Sequence, residues 1–231
     1  MKLSLIIPCF NEEDNIKKLI EKLISVVNLL GECEIILVNN GSNDKTHDEL
    51  IKHSQKYSYI KILDLKINCG YGNGIFEGIK YSSGDIIAWT HADLQTDPED
   101  IVAGYNFIKN ENKNIIIKGK RKNRSKLDVF FTYLMSKAVY IFSNTKLSDI
   151  NAQPKFFYRS FLNYIDNPPK DFNLDLYILI KAIKEGYEIK DFPVFFHDRN
   201  SGLSKGGGSI KGKIKLSCMT LLYIALKSRS I

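Results

Sequence analysis

Leu3 to Cys9 is an unbroken apolar run of strand length, and behind it Ile16, Leu19, Ile20, Leu23, Ile24 and Val27 recur at helical spacing. Strand, turn and helix make the opening unit, with Asn11 expected as the helix N-cap. The unit repeats. Glu34 to Val38 reads as a second strand, the polar string NNGSND as a turn, a helix follows from about Lys45, and Tyr59 to Leu65 reads as a third strand. Gly70, Gly72, Gly74, Gly78 and Gly84 surround a short helix, and Asp85 to Thr90 makes a fourth strand ending in HADLQTDPED. This alternation predicts an α/β fold with a doubly wound, mostly parallel sheet flanked by helices.

In such sheets ligands bind at the carboxyl ends of the strands, so PCFNEE, VNNGSND and HADLQTD are expected to converge on one crevice. The second half is less regular. A basic segment, KGKRKNRSK, follows a fifth strand; then come a long apolar helix from about Asp128 to Phe142, the string SDINAQPKFFYR, a helix around Leu174 to Glu185 and a strand reaching FPVFF. HDRNSGLSKGGGSIKGK, rich in glycine and lysine, reads as a mobile connection, and KIKLSCMTLLYIALKSRSI as a helix flanked by cations. The expected organisation is one domain over 1–209, in two halves (1–118 and 119–209), followed by a basic amphipathic helix over 210–231.

The chain has 231 residues, 44% hydrophobic and 26% charged, enough for a substantial core within one domain. Its 33 basic and 26 acidic residues leave a formal charge of +7, which favours nucleic acid, nucleotide phosphates or acidic lipid headgroups. No RNP-like aromatic motif, zinc finger or helix-turn-helix pattern accompanies that charge, so a nucleic-acid partner is not expected. Cys9, Cys33, Cys69 and Cys218 are scattered without a CxxC pair and read as reduced thiols of a cytosolic protein. The first apolar run is too short for a signal peptide, and Cys218 to Leu226 is about half of the roughly 20 residues that span a bilayer. No membrane crossing is expected.

His91, Asp93 and Gln95 alternate just past the fourth strand, so in an extended chain they would share one side and offer oxygen and nitrogen ligands to a cation. Mg²⁺ or Mn²⁺ there could bridge protein to the phosphates of a nucleoside diphosphate. Downstream, Lys118, Lys120, Arg121, Lys122 and Arg124 invite a phosphate, and the planar guanidinium forks of Arg121 and Arg124 suit it best.

Taken in order, IIPCFNEE, ILVNNGSNDKT, NCGYGNGIFEGIKYSSGD and HADLQTDPED resemble the family 2 glycosyltransferases of GT-A fold, particularly the polyprenyl-phosphate sugar transferases, over roughly residues 3 to 205. By position the resemblance implies that Pro8, Phe10, Asn11, Glu12, Asn39, Asn40, Gly41 and Gly74 hold the donor nucleotide. It gives Asp93 to donor and metal, with Gln95 and His91 as further ligands. Asp149, Asn151, Gln153 and Lys155 would line the sugar and acceptor pocket, and Arg199, Ser204 and Lys205 would close over phosphate. Asp175 would be a catalytic base only for a hydroxyl acceptor, since a phosphate oxygen is already anionic. Two departures matter. Asn39 and Asn40 stand where the family has paired aspartates, which leaves the nucleobase open, and HADLQ replaces DADLQ, which favours a nitrogen-tolerant ion such as Mn²⁺.

The implied activity is metal-dependent, inverting transfer from a UDP- or GDP-sugar to dolichyl or undecaprenyl phosphate at the cytosolic face of a membrane. Transfer to a saccharide hydroxyl in surface polysaccharide assembly, or a non-catalytic relative, is the alternative. Such transferases often carry transmembrane helices, so peripheral attachment or a membrane partner subunit is expected here. DVFFTYLMSKAVYIF and the cationic tail would supply the membrane face, although the first of these would fit a protein core equally well.

Overall fold

β1 (Leu3–Cys9) runs near the middle of a seven-stranded sheet, and the computed structural model describes residues 1–195, 197 and 210–227. The remaining strands are β2 (Cys33–Asn40), β3 (Ile60–Leu65), β4 (Ile86–Trp89), β5 (Ile115–Lys122), β6 (Lys155–Tyr158) and β7 (Glu188–Phe195). Their spatial order is β3-β2-β1-β4-β6-β5-β7. Every neighbouring pair is parallel except those of β6, which runs against both β4 and β5. The expected doubly wound, mostly parallel sheet is therefore present, with one reversed strand that the sequence pattern did not expose.

Side chains alternate across the sheet and build two cores. Leu3, Leu5 and Ile7 face one side with α1 (Glu13–Leu30), α2 (Thr46–Ser54) and α4 (Asp100–Ile108), while Ile6, Ile36, Val38 and Trp89 face the other with α3 (Tyr71–Tyr81) and α6 (Leu174–Lys184). Helix α1 forms because Ile16, Leu19, Ile20, Leu23, Val26 and Val27 place one continuous apolar stripe against β1, and it stops at Gly31, whose φ of 76° permits the turn. Gly78 can stand only where it does: a Cβ would come within 2.6 Å of Ile6 and 2.9 Å of Val38, so its absence lets α3 approach the sheet.

Several boundaries differ from expectation. Asn11 does not cap α1; Glu12 occupies that position without a side-chain hydrogen bond, and Asn11, at φ 52°, instead accepts from the Asn43 N–H at 2.8 Å. Strand β2 continues through Asn39 and Asn40, because Asn39 and Asn40 pair with Asp64 and Leu65 of β3. The basic run starts inside β5, where Lys118 is buried and ion-paired to Asp191 at 2.7 Å. Helix α5 (Lys126–Ser143) begins two residues early because the Ser125 hydroxyl caps the Asp128 N–H. Only Val139 of α5 is fully buried, so this helix is not a core helix. Helix α7 (Ile210–Lys227) packs on α5 and buries Ile224.

Candidate functional site

A cavity of about 800 Å³ opens at the carboxyl ends of β1, β2 and β4 and reaches across to α5, α6 and α7. β1 contributes Pro8, and Phe10 and Glu12 follow from the turn beyond it. Asn40 comes from the end of β2, Asn68 and Gly70 from the turn before α3, and Tyr71 from the first position of that helix. The loop after β4 adds His91, Asp93 and Gln95, and the far wall carries Arg121, Arg124, Asn151, Gln153 and Asp175.

The first expectation about the central loop fails in its premise. The chain bends after β4, with Leu94 at φ 58°, and the Asp93 carboxylate accepts the Gln95 N–H at 3.2 Å. His91, Asp93 and Gln95 nonetheless line the same cavity, since the bend turns the loop around the ligand space instead of along it. Gln95 is fixed further by His197, whose N–H donates to the Gln95 carbonyl at 2.8 Å. His91 rests against Tyr71, with ring centroids 5.3 Å apart, and Tyr71 stacks on Phe172 at 4.8 Å. Burial lowers the His91 pKa and outweighs the pull of Asp93, so the imidazole is neutral near pH 7 and has a nitrogen lone pair to offer.

These residues fit a divalent metal of one particular kind. Among the described residues no cluster of three or more His, Cys, Asp or Glu forms a complete protein cage. One carboxylate and one neutral imidazole on an open cavity suit Mg²⁺ or Mn²⁺ that takes its other ligands from phosphate and water.

The far wall is held by charge. Asp149, at φ 43°, accepts from the Arg121 backbone N–H at 2.8 Å and from its Nε at 2.9 Å, and Arg121 Nη2 closes the same pair. Arg124 lies 3.5 Å from the same carboxylate and donates to Thr132 at 2.8 Å. Burial works against the ionised Asp149, but hydrogen bonding from Arg121 prevails and keeps its pKa low. Two guanidiniums thus share one carboxylate, and both arginines line the cavity beside Asp128 of α5. Asp149 itself is turned to the arginines and does not line the cavity.

A buried ion pair completes this wall, with Asp175 at the cavity surface and Lys155 behind it. Lys155 Nζ donates to Asp175 Oδ1 at 2.6 Å and to the Ala152 carbonyl at 2.9 Å, and both side chains are within 2% of complete burial. The same Oδ1 accepts from Gln153 at 3.0 Å and from the Trp89 indole at 3.3 Å. Burial pushes the Lys155 pKa down to about 8 even though Asp175 opposes the shift. Gln153 also donates to the Tyr71 hydroxyl at 3.0 Å. Burial, reinforced by Asp175, raises the Tyr71 pKa well above its ordinary value.

Four other expected residues stand behind the cavity surface. Asn11 is turned to Asn43; Asn39 donates to Asp64 at 2.8 Å and accepts from the Ser42 N–H at 3.3 Å; Gly41, at φ 67°, shapes the turn after β2. Gly74 makes room for Asn40, whose Nδ2 would lie 3.0 Å from a Cβ there and instead donates to the Gly70 carbonyl at 3.0 Å. Arg199, Ser204 and Lys205 lie outside the described residues. Sequence reasoning passed over Tyr71, Phe172 and Asn68. Phe172 carries no distinctive spacing, while Asn68 and Tyr71 were foreshadowed by their place in NCGYG.

The Glycosyl transferase family 2 sequence profile matches residues 4–160. The chain is similar to the dolichol-phosphate mannosyltransferase of Pyrococcus furiosus, 28% identical across 98% of this chain and 64% of that protein. It is also similar to the dodecaprenyl-phosphate galacturonate synthase of Rhizobium johnstonii, 27% identical across 96% of this chain and 67% of that protein. The chain thus spans about two thirds of these relatives. Among solved structures, glucosyl-3-phosphoglycerate synthase from Mycobacterium tuberculosis, in complex with Mn²⁺, UDP and phosphoglyceric acid, superposes with a TM-score of 0.78 at 14% identity, covering 100% of this chain and 79% of that one.

Proposed function

This chain belongs to glycosyl transferase family 2 and has the GT-A fold, and we propose that it transfers a sugar, with inversion, from a UDP- or GDP-sugar to a polyprenyl phosphate at the cytosolic face of a membrane. The observation that carries this reading is the single cavity in which the ends of β1 and β2, the Asp93 loop and the Arg121 and Arg124 wall meet. In it the donor nucleoside lies over Pro8, Phe10, Glu12 and Asn40, with Asn11, Asn39, Gly41 and Gly74 shaping the backbone behind. Residues 1–118 bind the donor and residues 119–209 the acceptor.

Asp93 and His91, with Gln95 beside them, would hold the metal, which neutralises charge on the departing nucleoside diphosphate. The arginine wall receives the acceptor phosphate, and Asp149 keeps both guanidiniums aimed. No general base is required for that oxygen, which agrees with Asp175 Oδ1 being engaged by Lys155, Gln153 and Trp89. The names of the Pyrococcus and Rhizobium relatives support a polyprenyl-phosphate acceptor. The presence of Asp175 on the cavity wall favours a second reading, transfer to a saccharide hydroxyl with Asp175 as base.

The test is turnover of a panel of nucleotide sugars with a short polyprenyl phosphate, in Mn²⁺, Mg²⁺ or EDTA, for the wild type and Asp93→Ala. Metal-dependent transfer that collapses by about a hundredfold or more in Asp93→Ala supports the proposal. Binding of no nucleotide sugar under any metal condition rejects it.

A further inference from the structure

Helix α5 is apolar on both sides, and its two sides have different neighbours. Phe131, Thr132, Met135 and Ser136 face the cavity, while Phe130, Tyr133, Leu134 and Ile141, which lie three, four and eleven residues along from Phe130, share an outward face. Tyr133 is 60% and Ile141 68% exposed. Helix α7 repeats the arrangement: Leu216, Ser217 and Thr220 line the cavity, and Ile214, Met219, Leu222 and Leu226 point out, the last at 69% exposure. The two helices pack on each other. Two adjacent outward apolar faces are more than a soluble surface ordinarily leaves uncovered.

We infer that these outward faces of α5 and α7 dock on an anionic lipid bilayer, with the cavity mouth held at its surface. Charge selects this occupant. The two helices contain six lysines and one acid, Asp128, which is engaged by Ser125. Lysine is depleted at protein interfaces but attracted to anionic headgroups. Exposed Lys137 and Lys146 line a shallow depression of about 350 Å³ together with Tyr133 and Tyr140, side chains of the amphipathic kind that settle at headgroup depth. Among the described residues no helix is long and apolar enough to cross a membrane, so this contact is interfacial. The inference rests on the lipid-phosphate reading of the cavity and names the surface that brings the acceptor to it.

Sedimentation of the full chain with vesicles tests it, using phosphatidylcholine alone and phosphatidylcholine mixed with phosphatidylglycerol. The expected result is binding to the mixed vesicles, weakened by salt, with much less binding to the neutral ones. Ile141→Ser with Leu222→Ser, and separately Lys137→Glu with Lys146→Glu, should each reduce that binding tenfold or more, an order-of-magnitude expectation from the lost apolar area and charge. Binding of a fluorescent nucleotide should be unchanged in both double variants, since none of the four residues lines the cavity. Absence of vesicle binding by the wild type, or equal binding by the variants, would overturn the inference while nucleotide binding leaves the transferase reading standing. A wild-type dimer in light scattering that either double variant dissociates would overturn it in favour of a second copy on this face. Loss of nucleotide binding by the wild type would remove the transferase reading instead.

Discussion

Replacing Asp175 with asparagine separates two accounts of the same carboxylate. The substitution keeps an acceptor for Gln153 and Trp89 but removes the counter-charge of Lys155, which is completely buried. Stranding a buried cation ordinarily costs about 3 to 5 kcal/mol. Here the lysine has a cheaper alternative. Its pKa has already come down from 10.5 to about 8, so near pH 7 it lies about one unit from losing its proton. Without Asp175 it sheds that proton, and the added cost at pH 7 is limited to about 1.4 kcal/mol, near 3 °C in melting temperature for a chain of this size. The sign follows from proton counting. In the folded variant Lys155 is neutral while the unfolded chain keeps it protonated, so the variant gains stability as pH rises from 7, whereas the wild type begins to gain only above about 8. The deficit should fade between pH 7 and 8 and be gone by about pH 9. Urea unfolding at these three pH values is the assay. A deficit of about 3 to 5 kcal/mol that does not change with pH would refute the reasoning, because it would mean that the cation stays charged and unpaired. Activity per folded molecule should stay within about tenfold of the wild type for a phosphate acceptor, and a loss of about a thousandfold would identify Asp175 as a base and the acceptor as a hydroxyl.

Further outcomes follow from other sites. Asp149→Asn, by releasing Arg121 and Arg124 from their shared partner, should raise KM for the phosphate acceptor about tenfold with a smaller effect on nucleotide affinity, measured by steady-state kinetics and titration. Burial pushes the Asp100 carboxyl up to about 6, so the folded protein takes up a proton there as pH falls through about 6 toward 4 and is stabilised in that window. Asp100→Asn should accordingly be more stable than the wild type by about 1 to 2 kcal/mol at pH 7, an advantage that disappears near pH 4 in urea titrations. Gly41→Ala combines a φ of 67° with a Cβ pressed on the Asn68 backbone nitrogen, and should cost about 2 to 4 kcal/mol in the same assay.

The first half of the fold was legible because its physics is local. Continuous apolar runs, the periodic stripe of α1 and the polar strings at strand ends each carry their meaning within about twenty residues. Strand β6 did not announce itself: four residues, Lys155–Tyr158, begin with a charged side chain that only a distant carboxylate, Asp175, makes tolerable in the interior. The same limit explains the reading of Asp149 as a ligand residue. Its string SDINAQP is polar enough for a sugar pocket, and nothing in it reveals that two arginines some twenty-five residues upstream already occupy the carboxylate. Helix α5 was ambiguous for a different reason. An all-round apolar helix fits a core or a lipid surface equally, and only its exposure in the folded chain separates them.

The reversed direction of β6 has a bearing on how such a protein can change. Parallel strands deliver their exits to the cavity edge, so every loop there begins where a strand ends. β6 delivers its entrance, which means that residues 144–154 are moored between the end of α5 and a strand hydrogen-bonded on both sides by β4 and β5. Helix α5 and the segment after it can therefore be lengthened, shortened or exchanged as a cassette without shifting the register of β1, β2 and β4. Diversification would proceed by replacing that cassette while the sheet and the loops after β1, β2 and β4 are inherited intact.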